Sequence, residues 1–335
     1  MEPSLKENFS SSETVLVIGG AGFIGSHIVD SLLKNKSIKS VTILDSFFLG
    51  NNLNLQDALN FDSLKKLTIL RGDASDVSTL LNIFIEKGIT LVINLGVIPL
   101  ISSLSQPFWS SKRNFEIALA ACEAVRLNPI IRLVHFSSSE IYGNMRINPM
   151  NEDHPKNPET PYAAAKLSGD HMVLSYVNTF RIQATIIRPF NNYGPRQNVH
   201  HFSGIFPSIA KSILSKQPIQ ISGSGEQTRD FVHVLDTVQA TLKIIECASF
   251  EGEVFNISTG VETSILDLAQ RSLKILGIKK PQTHVIFTES RQADVSRHCG
   301  DASFLSNITG YSAKALSDDL ISSTLLSLIE EMKAK

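Results

Sequence analysis

The sequence of 335 residues has few of the features that mark a metal site, a membrane span or a nucleic-acid-binding surface. Its three cysteines, Cys122, Cys247 and Cys299, are far apart and lack the spacing of metal ligands. No apolar run approaches the roughly 18 residues of a membrane span, and polar residues 1–13 do not resemble a signal peptide. Lys and Arg total 31 against 32 Asp and Glu, so no net charge favours nucleic acid. We therefore expect a cytoplasmic protein without a metal, nucleic-acid partner or membrane anchor.

A glycine-rich segment near the start is the clearest pattern that is present. Apolar residues 15–18 predict a strand, and residues 26–33 have the spacing of a helix. Between them lie Gly19, Gly22 and Gly25, at intervals of three. A strand, a glycine turn and a helix together aim the helix N-terminus at a phosphate. In such a turn the first glycine permits the bend, the second admits a pyrophosphate, and the third allows close packing of helix and strand.

Further strands are predicted at regular intervals beyond this segment. They are short apolar runs separated by helical patterns, at residues 40–45, 67–73, 91–96, 130–136 and 184–188. Strands that alternate with helices predict an α/β fold, a doubly wound parallel sheet covered on both faces. Ligands of such sheets bind beyond the carboxyl ends of the strands. We place the glycine turn, Asp45, Asp73 and Ser138 at that edge.

Asp45 indicates which dinucleotide this edge would bind. It ends the second strand twenty residues after Gly25, where dinucleotide-binding folds have the acid that binds the adenosine ribose. A carboxylate there would repel the 2′-phosphate of NADP, so the sequence favours NAD. The alternative is that Asp45 is only the polar end of a strand.

Tyr162 and Lys166 are the candidate catalytic pair. They are four residues apart in a predicted helix and therefore share one face. Lys166 and a positive nicotinamide ring would lower the pKa of Tyr162 from about 10 towards neutrality. The phenolate could then take a proton from a hydroxyl group while hydride moves to NAD, with Ser138 bonded to the same hydroxyl. The alternative is an ordinary amphipathic helix.

The pattern becomes less regular after the sixth strand. Residues 13–187 are predicted to form an NAD-binding domain to which residues 228–258 return. Residues 188–227 and 259–335 are predicted to form a smaller mixed α/β lobe that binds the substrate.

Six motifs in order resemble the extended short-chain dehydrogenase/reductase family, and within it the NAD-dependent nucleotide-sugar epimerases and dehydratases. They are Gly19–Gly25, Asp45, Ser138, Tyr162-x-x-x-Lys166, Arg188–Arg196 and Thr228–Val234. The resemblance implies a Rossmann-type fold, a tightly held NAD, a nucleotide-diphosphate sugar as substrate and a transient 4-keto sugar. It also implies a homodimer formed by helices around residues 110–127 and 162–176.

The resemblance also implies roles for individual residues. The catalytic residues would be Ser138, Tyr162, Lys166 and Glu140. The cofactor would be bound by Gly19, Gly22, Phe23, Ile24, Gly25, Asp45, Asp73, Tyr162 and Lys166, with Asp73 holding the adenine. The substrate diphosphate would be bound by Asn191, Arg229 and Arg291.

Glu140 bears on the outcome of the reaction. A carboxylate two residues before Tyr142 resembles the dehydratases and decarboxylases more than the simple 4-epimerases, and it could remove the acidic C5 proton of a 4-keto sugar. Ser139 replaces the extra Asp of the glucose dehydratases. We therefore favour 4,6-dehydration slightly, with 4-epimerisation nearly level. A UDP-glucuronate decarboxylase, a non-catalytic NAD-binding regulator and an NADPH-dependent ketoreductase are the weaker alternatives.

One loop departs from the family pattern. Relatives often have His-Leu-Ala-Ala after the fourth strand, whereas residues 94–97 here are Asn-Leu-Gly-Val and residues 98–101 are apolar. Because this loop normally touches both nicotinamide and sugar, the sequence constrains the substrate poorly.

Overall fold

The structure is a computed structural model that describes residues 13–62, 65–199, 204–290 and 293–333. Within those ranges the chain forms twelve strands and eleven α-helices. The strands are β1 (Glu13–Ile18), β2 (Ile38–Asp45), β3 (Leu67–Arg71), β4 (Leu91–Asn94), β5 (Arg132–Phe136), β6 (Gln183–Pro189), β7 (Asn191–Tyr193), β8 (Ile219–Ser222), β9 (Thr228–His233), β10 (Glu251–Ile257), β11 (Glu262–Ser264) and β12 (Val285–Thr288). The helices are α1 (Phe23–Lys34), α2 (Gln56–Phe61), α3 (Val77–Lys87), α4 (Leu100–Ser105), α5 (Pro107–Arg126), α6 (Pro161–Phe180), α7 (Ile205–Ser215), α8 (Val234–Cys247), α9 (Ile265–Ile275), α10 (Ser303–Thr309) and α11 (Asp318–Lys333).

A parallel sheet of seven strands is the centre of the described fold. The strand order is β10-β6-β5-β4-β1-β2-β3, and every neighbouring pair is parallel. The chain moves outwards from β1 in one direction through β2 and β3, and then in the other through β4, β5 and β6. This order confirms the doubly wound sheet and puts a crevice between the ends of β1 and β4, where such sheets bind ligands.

Burial on both faces explains why the central strands are mainly apolar. In β1, Val15 and Val17 pack into one hydrophobic cluster, whereas Leu16 and Ile18 pack into another on the opposite face. All four side chains are at most 1% exposed. Successive strand residues point to opposite faces, so a strand covered by helices on both sides favours apolar side chains at every position.

A smaller lobe has its own core. It contains a three-stranded sheet in the order β11-β9-β7 and the parallel pair β12-β8. Helices α7, α9 and α11 pack together over these strands, around side chains such as Phe206, Leu273 and Leu325. Residues 189–197 are rich in turn-forming residues, which predict a loop, but the structure forms strand β7 within them.

The chain crosses between the two parts more often than the sequence suggested. Helix α8 packs on α1, and β10 completes the edge of the large sheet beside β6. Strand β9, grouped above with the NAD-binding domain, pairs instead with β7 and β11. Helix α10, grouped above with the substrate lobe, packs on α8 and β10. Across the described ranges, no helix has both the length and the apolar character needed to cross a membrane.

Candidate active site

A cavity of about 860 Å³ lies at the carboxyl ends of the central strands. Ten residues that the sequence assigned to cofactor or catalysis line it. They are Gly19, Gly22, Phe23, Ile24, Gly25, Asp45, Asp73, Ser138, Tyr162 and Lys166. The sheet edge therefore brings together residues separated by up to about 150 positions in the sequence, because the strands that carry them all end on the same side.

The glycine turn gives the cavity a backbone cradle. Gly19 has φ +77°, a conformation that L-residues with a side chain rarely adopt. A Cβ at Gly25 would clash with the carbonyl oxygen of Gly19. Helix α1 begins at Phe23, directly after Gly22, so its first N–H groups have no partner within the helix. This arrangement fits the pyrophosphate of a dinucleotide.

Asp45 is fixed beside this cradle. Its two carboxylate oxygens accept hydrogen bonds from the backbone N–H groups of Ala21 (2.9 Å) and Phe47 (2.8 Å). Burial raises the pKa of Asp45, and these two hydrogen bonds oppose that rise. The carboxylate thus faces the cavity in a fixed position, as binding of a ribose hydroxyl would require.

Asp73 has a partner that the sequence analysis missed. Arg113 of α5 forms an ion pair with its carboxylate and donates a second hydrogen bond to Ser75 Oγ (2.8 Å). Burial would raise the pKa of Asp73, but the hydrogen bonds from Arg113 and Ser75 outweigh it and hold the pKa below its usual range. Arg113 lines the cavity as well. No motif singles it out, because only the packing of α5 brings it to β3.

Ser138, Tyr162 and Lys166 converge at the ends of β5 and α6. Ser138 follows β5, accepts a hydrogen bond from the N–H of Glu140 (3.2 Å) and shares a side-chain hydrogen bond with Tyr162. Tyr162 lies in the first turn of α6, which Thr160 caps by accepting from the N–H of Ala163 (3.1 Å). Lys166, one turn later, is buried and donates from Nζ to the carbonyl oxygen of Phe136.

The protein groups around Tyr162 do not produce the low pKa that the sequence suggested. Burial raises the pKa of Tyr162 to about 12, opposed by the hydrogen bond with Ser138 and reinforced by the charge of Glu140. Burial lowers the pKa of Lys166 to about 8. Any lowering for catalysis must come from a positive charge brought in by a ligand.

Glu140 lies close to Tyr162, in a short 3₁₀ helix of residues Ser139–Tyr142. Burial raises the pKa of Glu140, Arg229 lowers it, and Asp294 and Glu159 raise it further. Among the described residues, none donates a hydrogen bond to its carboxylate. Because burial raises its pKa, the carboxyl group of Glu140 holds a proton more readily than a free carboxyl group does. Groups with a shifted pKa of this kind are candidates for proton transfer.

The residues predicted to bind the substrate diphosphate are brought together less closely than the predicted cofactor-binding residues. Arg229 in β9 is held by the carbonyl oxygens of Thr228 (2.8 Å) and Val295 (2.6 Å) and by Asp294 (2.7 Å). These bonds use three of its five N–H groups, leaving two for a ligand. Asn191 begins β7, beside β9, and does not line the cavity described above. Arg291 lies outside the described residues.

The chain matches known proteins over most of its length. Residues 15–258 match the model of the NAD dependent epimerase/dehydratase family. The chain belongs to this family. The family is NAD-dependent, so NAD is the cofactor of this chain. Bound NAD supplies a hydride acceptor and a positively charged ring.

Relatives with two different activities are similar to the chain. A UDP-glucose 4-epimerase of Mycolicibacterium smegmatis is 35% identical over 255 residues, covering 76% of this chain and 79% of the relative. A dTDP-glucose 4,6-dehydratase of an Actinoplanes species is 30% identical over 319 residues, covering 93% and 96%. The crystal structure of a dTDP-glucose 4,6-dehydratase from Streptomyces venezuelae with NAD bound has a TM-score of 0.87 at 25% identity, covering 96% and 98%.

The loop after β4, which departs from the pattern of this epimerase/dehydratase family, lines the cavity with Val97, Ile98 and Pro99. Asn114 of α5 fixes the loop by accepting from the N–H of Ile98 (2.7 Å) and donating to its carbonyl oxygen (2.9 Å). The apolar side chains are therefore held in a fixed position in the wall of the cavity. They favour contact with the apolar face of a ligand.

Proposed function

We propose that the chain is a nucleotide-sugar 4,6-dehydratase that acts through a transient 4-keto sugar. The observation that carries this proposal is Glu140. Its carboxyl group is partly buried, lies close to Tyr162 and has no hydrogen-bond donor among the described residues. A structural carboxylate would be expected to bind a loop N–H, and Glu140 does not.

Tyr162 takes the proton of the C4 hydroxyl as the C4 hydride leaves the sugar. Its pKa of about 12 in the protein alone makes it a poor base, so the positive charge of the nicotinamide ring would have to favour the phenolate. Ser138, already bonded to Tyr162, orients the hydroxyl. The hydrogen bond to the carbonyl oxygen of Phe136 holds Lys166 in place, one helical turn after Tyr162.

Glu140 then acts on the neighbouring carbon. A ketone at C4 makes the C5 proton acidic, and a carboxylate beside Tyr162 can remove it, so that the C6 hydroxyl leaves. Because burial raises the pKa of Glu140, the carboxyl group can also return that proton to the departing hydroxyl, which leaves as water. Bound NAD would hold the hydride from C4, and addition of this hydride at C6 and of a solvent proton at C5 would give the 6-deoxy-4-keto sugar. Arg229, with Asn191 and Arg291, would bind the diphosphate, since a guanidinium matches two phosphate oxygens.

The test is proton NMR of the purified protein with UDP-, dTDP-, GDP- and CDP-hexoses in D₂O. We expect a 6-deoxy-4-keto product with deuterium at C5 from one nucleotide series. Glu140→Gln should abolish both the formation of the 6-deoxy-4-keto product and the incorporation of deuterium at C5. Glu159→Gln is the matched control, because Glu159 is a neighbouring carboxylate already bonded to Asn144 (2.8 Å). Equal loss in both variants would contradict the assignment of Glu140.

The second candidate is a nucleotide-sugar 4-epimerase. Two observations favour it. The chain is 35% identical to a UDP-glucose 4-epimerase, and Ser139 stands where glucose dehydratases carry an acid for the leaving hydroxyl. In that case the NMR spectra would show the C4 epimer without exchange at C5, and Glu140→Gln would retain activity.

A homodimer is part of the proposal. Helices α5 and α6 pack against each other, and their outer side carries a shallow apolar depression lined by Phe115, Leu167 and Met172. Two copies of this helix pair could form a four-helix interface. Analytical ultracentrifugation should give twice the mass of the chain, and Leu167→Glu should give the monomer.

A further inference from the structure

One face of helix α5 borders the cavity and has no role in the mechanism above. Trp109, Arg113 and Ile117 follow at intervals of four, and all three line the cavity. Residues four apart share a helix face. Opposite this face lie Asp45 and Asp73, at the ends of β2 and β3. The face of α5 therefore looks across the cavity at the carboxylate expected to bind the adenosine ribose.

An ion pair joins the two sides of the cavity. Arg113 reaches from α5 to Asp73 at the end of β3. Their side chains are 29% and 49% exposed, so the pair itself contributes little to folding stability. The ion pair instead fixes the positions of two side chains, because it keeps the Arg113 guanidinium and the Asp73 carboxylate at the edge of the nucleotide site.

An aromatic contact joins the same two sides. The rings of Phe48 and Trp109 meet edge to face, with centroids 5.5 Å apart and an interplanar angle of 62°. Phe48 is 50% exposed and Trp109 is 37% exposed, although both line the cavity. Two large rings that contact each other while open to solvent stand at the mouth of the cavity rather than in its interior.

The loop that carries Phe48 is anchored on both sides. At its start, Asp45 accepts a hydrogen bond from the N–H of Phe47 (2.8 Å). At its end, the N–H of Asn51 donates to the carbonyl oxygen of Ala21 in the glycine turn (3.2 Å). Phe47 packs against the core of the large sheet, and Phe48 next to it faces Trp109. The loop therefore presents Phe48 from a fixed base.

We propose that Phe48, Trp109, Arg113 and Asp73 form a closure over the adenosine half of bound NAD, and that NAD leaves only when this closure opens. The two rings keep water from the adenosine, and Arg113 holds the carboxylate that faces it. Slow release suits a reaction in which the same cofactor molecule takes and returns the hydride. The proposal rests on NAD binding and is independent of whether the sugar is dehydrated or epimerised.

The test uses Trp109 as a probe, because it is the one tryptophan of the chain. The full-length protein is loaded with NADH and mixed with excess NAD, and the loss of energy transfer from Trp109 to the dihydronicotinamide gives the dissociation rate. Phe48→Ala should raise this rate about tenfold, and Phe48→Tyr should leave it unchanged. Phe108→Ala is the control, because Phe108 is 82% exposed and does not line the cavity.

A second measurement tests whether the residues act together. Retention of radiolabelled NAD on gel filtration is compared for Phe48→Ala, Trp109→Ala and the double variant. The double variant should lose NAD no faster than the single variants, since either change already removes the contact. Arg113→Met should also speed release, and Arg113→Lys should restore most of the retention.

Wild-type release rates in both Phe48→Ala and Arg113→Met would overturn the proposal. Additive effects of Phe48→Ala and Trp109→Ala would overturn it as well, because they would show two independent contacts. Thermal unfolding of each variant checks the fold. Phe48→Leu, which keeps an apolar side chain without a ring, gives the same test if Phe48→Ala does not fold.

Discussion

The cofactor end and the sugar end of the candidate site are built in different ways. The cofactor end is formed by backbone: a turn at Gly19–Gly25 and the N–H groups that hold Asp45, all within the first βαβ unit. The sugar end is formed by side chains from distant segments. There Arg229 depends on Asp294, 65 residues further along the chain, and the charges of both act on Glu140. None of these three residues lines the cavity.

This difference predicts an asymmetry in how the site responds to change. A backbone cradle does not depend on the smaller lobe, so changes at the sugar end should leave NAD in place. Sugar binding needs NAD, the large sheet and the smaller lobe together. Changes at the cofactor end should therefore remove both NAD binding and sugar binding. The following variants test that asymmetry, from the largest expected effect to the smallest.

Tyr162→Phe should give the largest loss of activity. The variant removes the hydroxyl that accepts the C4 proton, and we expect turnover to fall about 1,000-fold. NAD content should stay at the wild-type level, because the cradle is unchanged. The measurements are product formation by NMR and nucleotide released by acid. Loss of NAD together with activity would contradict the separation of the two ends.

Gly25→Ala should destroy the cofactor end. The new Cβ would clash with the carbonyl oxygen of Gly19, so the turn must open, at a cost of about 3 kcal/mol in unfolding free energy. NAD and sugar binding should both be lost. Gly204→Ala is the matched control, because Gly204 also lies at the N-terminal end of a helix and a Cβ there meets only the flexible side chain of Gln197. Urea unfolding and calorimetric NAD titration measure the effects.

His27 tests the contact between α1 and the segment that follows β7. Its Nε2 lies 3.0 Å from the carbonyl oxygen of Pro195, and burial lowers its pKa from 6.5 to about 4. The unfolded chain therefore binds a proton below pH 6.5 that the folded chain does not, and stability falls as the pH drops from 6.5 towards 4.

We expect this residue to contribute about 2 kcal/mol of the stability lost between pH 7.5 and pH 5. His27→Gln should flatten that part of the profile of unfolding free energy against pH by the same amount. An unaltered slope would show that the imidazole is protonated in the folded protein.

Arg229→Lys should have the smallest effect. A lysine cannot form two parallel bonds to a diphosphate, and we expect nucleoside-diphosphate affinity to fall about tenfold. NAD content should not change. Arg297→Lys is the control, because Arg297 is 54% exposed and pairs with Glu262 on the surface of the same lobe. Isothermal titration with UDP and dTDP measures both variants.

The sequence predicted the cofactor end well because that end is local. Strand β1, the three glycines and Asp45 lie within about thirty residues, and their pattern specifies both the turn and the edge of the sheet. The doubly wound parallel sheet also followed from the alternation of strands and helices, because parallel crossovers have a fixed hand.

Side-chain pairs formed by tertiary packing could not be predicted in the same way. Arg113 meets Asp73, and Phe48 meets Trp109, only because α5 crosses the ends of β2 and β3. The same applies to Arg229, whose bonds to Asp294 and Val295 join separate segments of the chain. The pKa of Tyr162 in the protein alone reflects burial, Ser138 and the charge of Glu140, and only the fold brings these together.

The central claim is that one sugar molecule gives up a hydride at C4, loses the proton at C5 and takes the same hydride back. A nucleotide hexose labelled with deuterium at C4 tests it directly by NMR. The account predicts that the label moves to the C6 methyl group of a 4-keto product, without dilution by added unlabelled NAD or NADH. Label that returns to C4 would identify an epimerase, and label that appears in the nicotinamide pool would contradict the account.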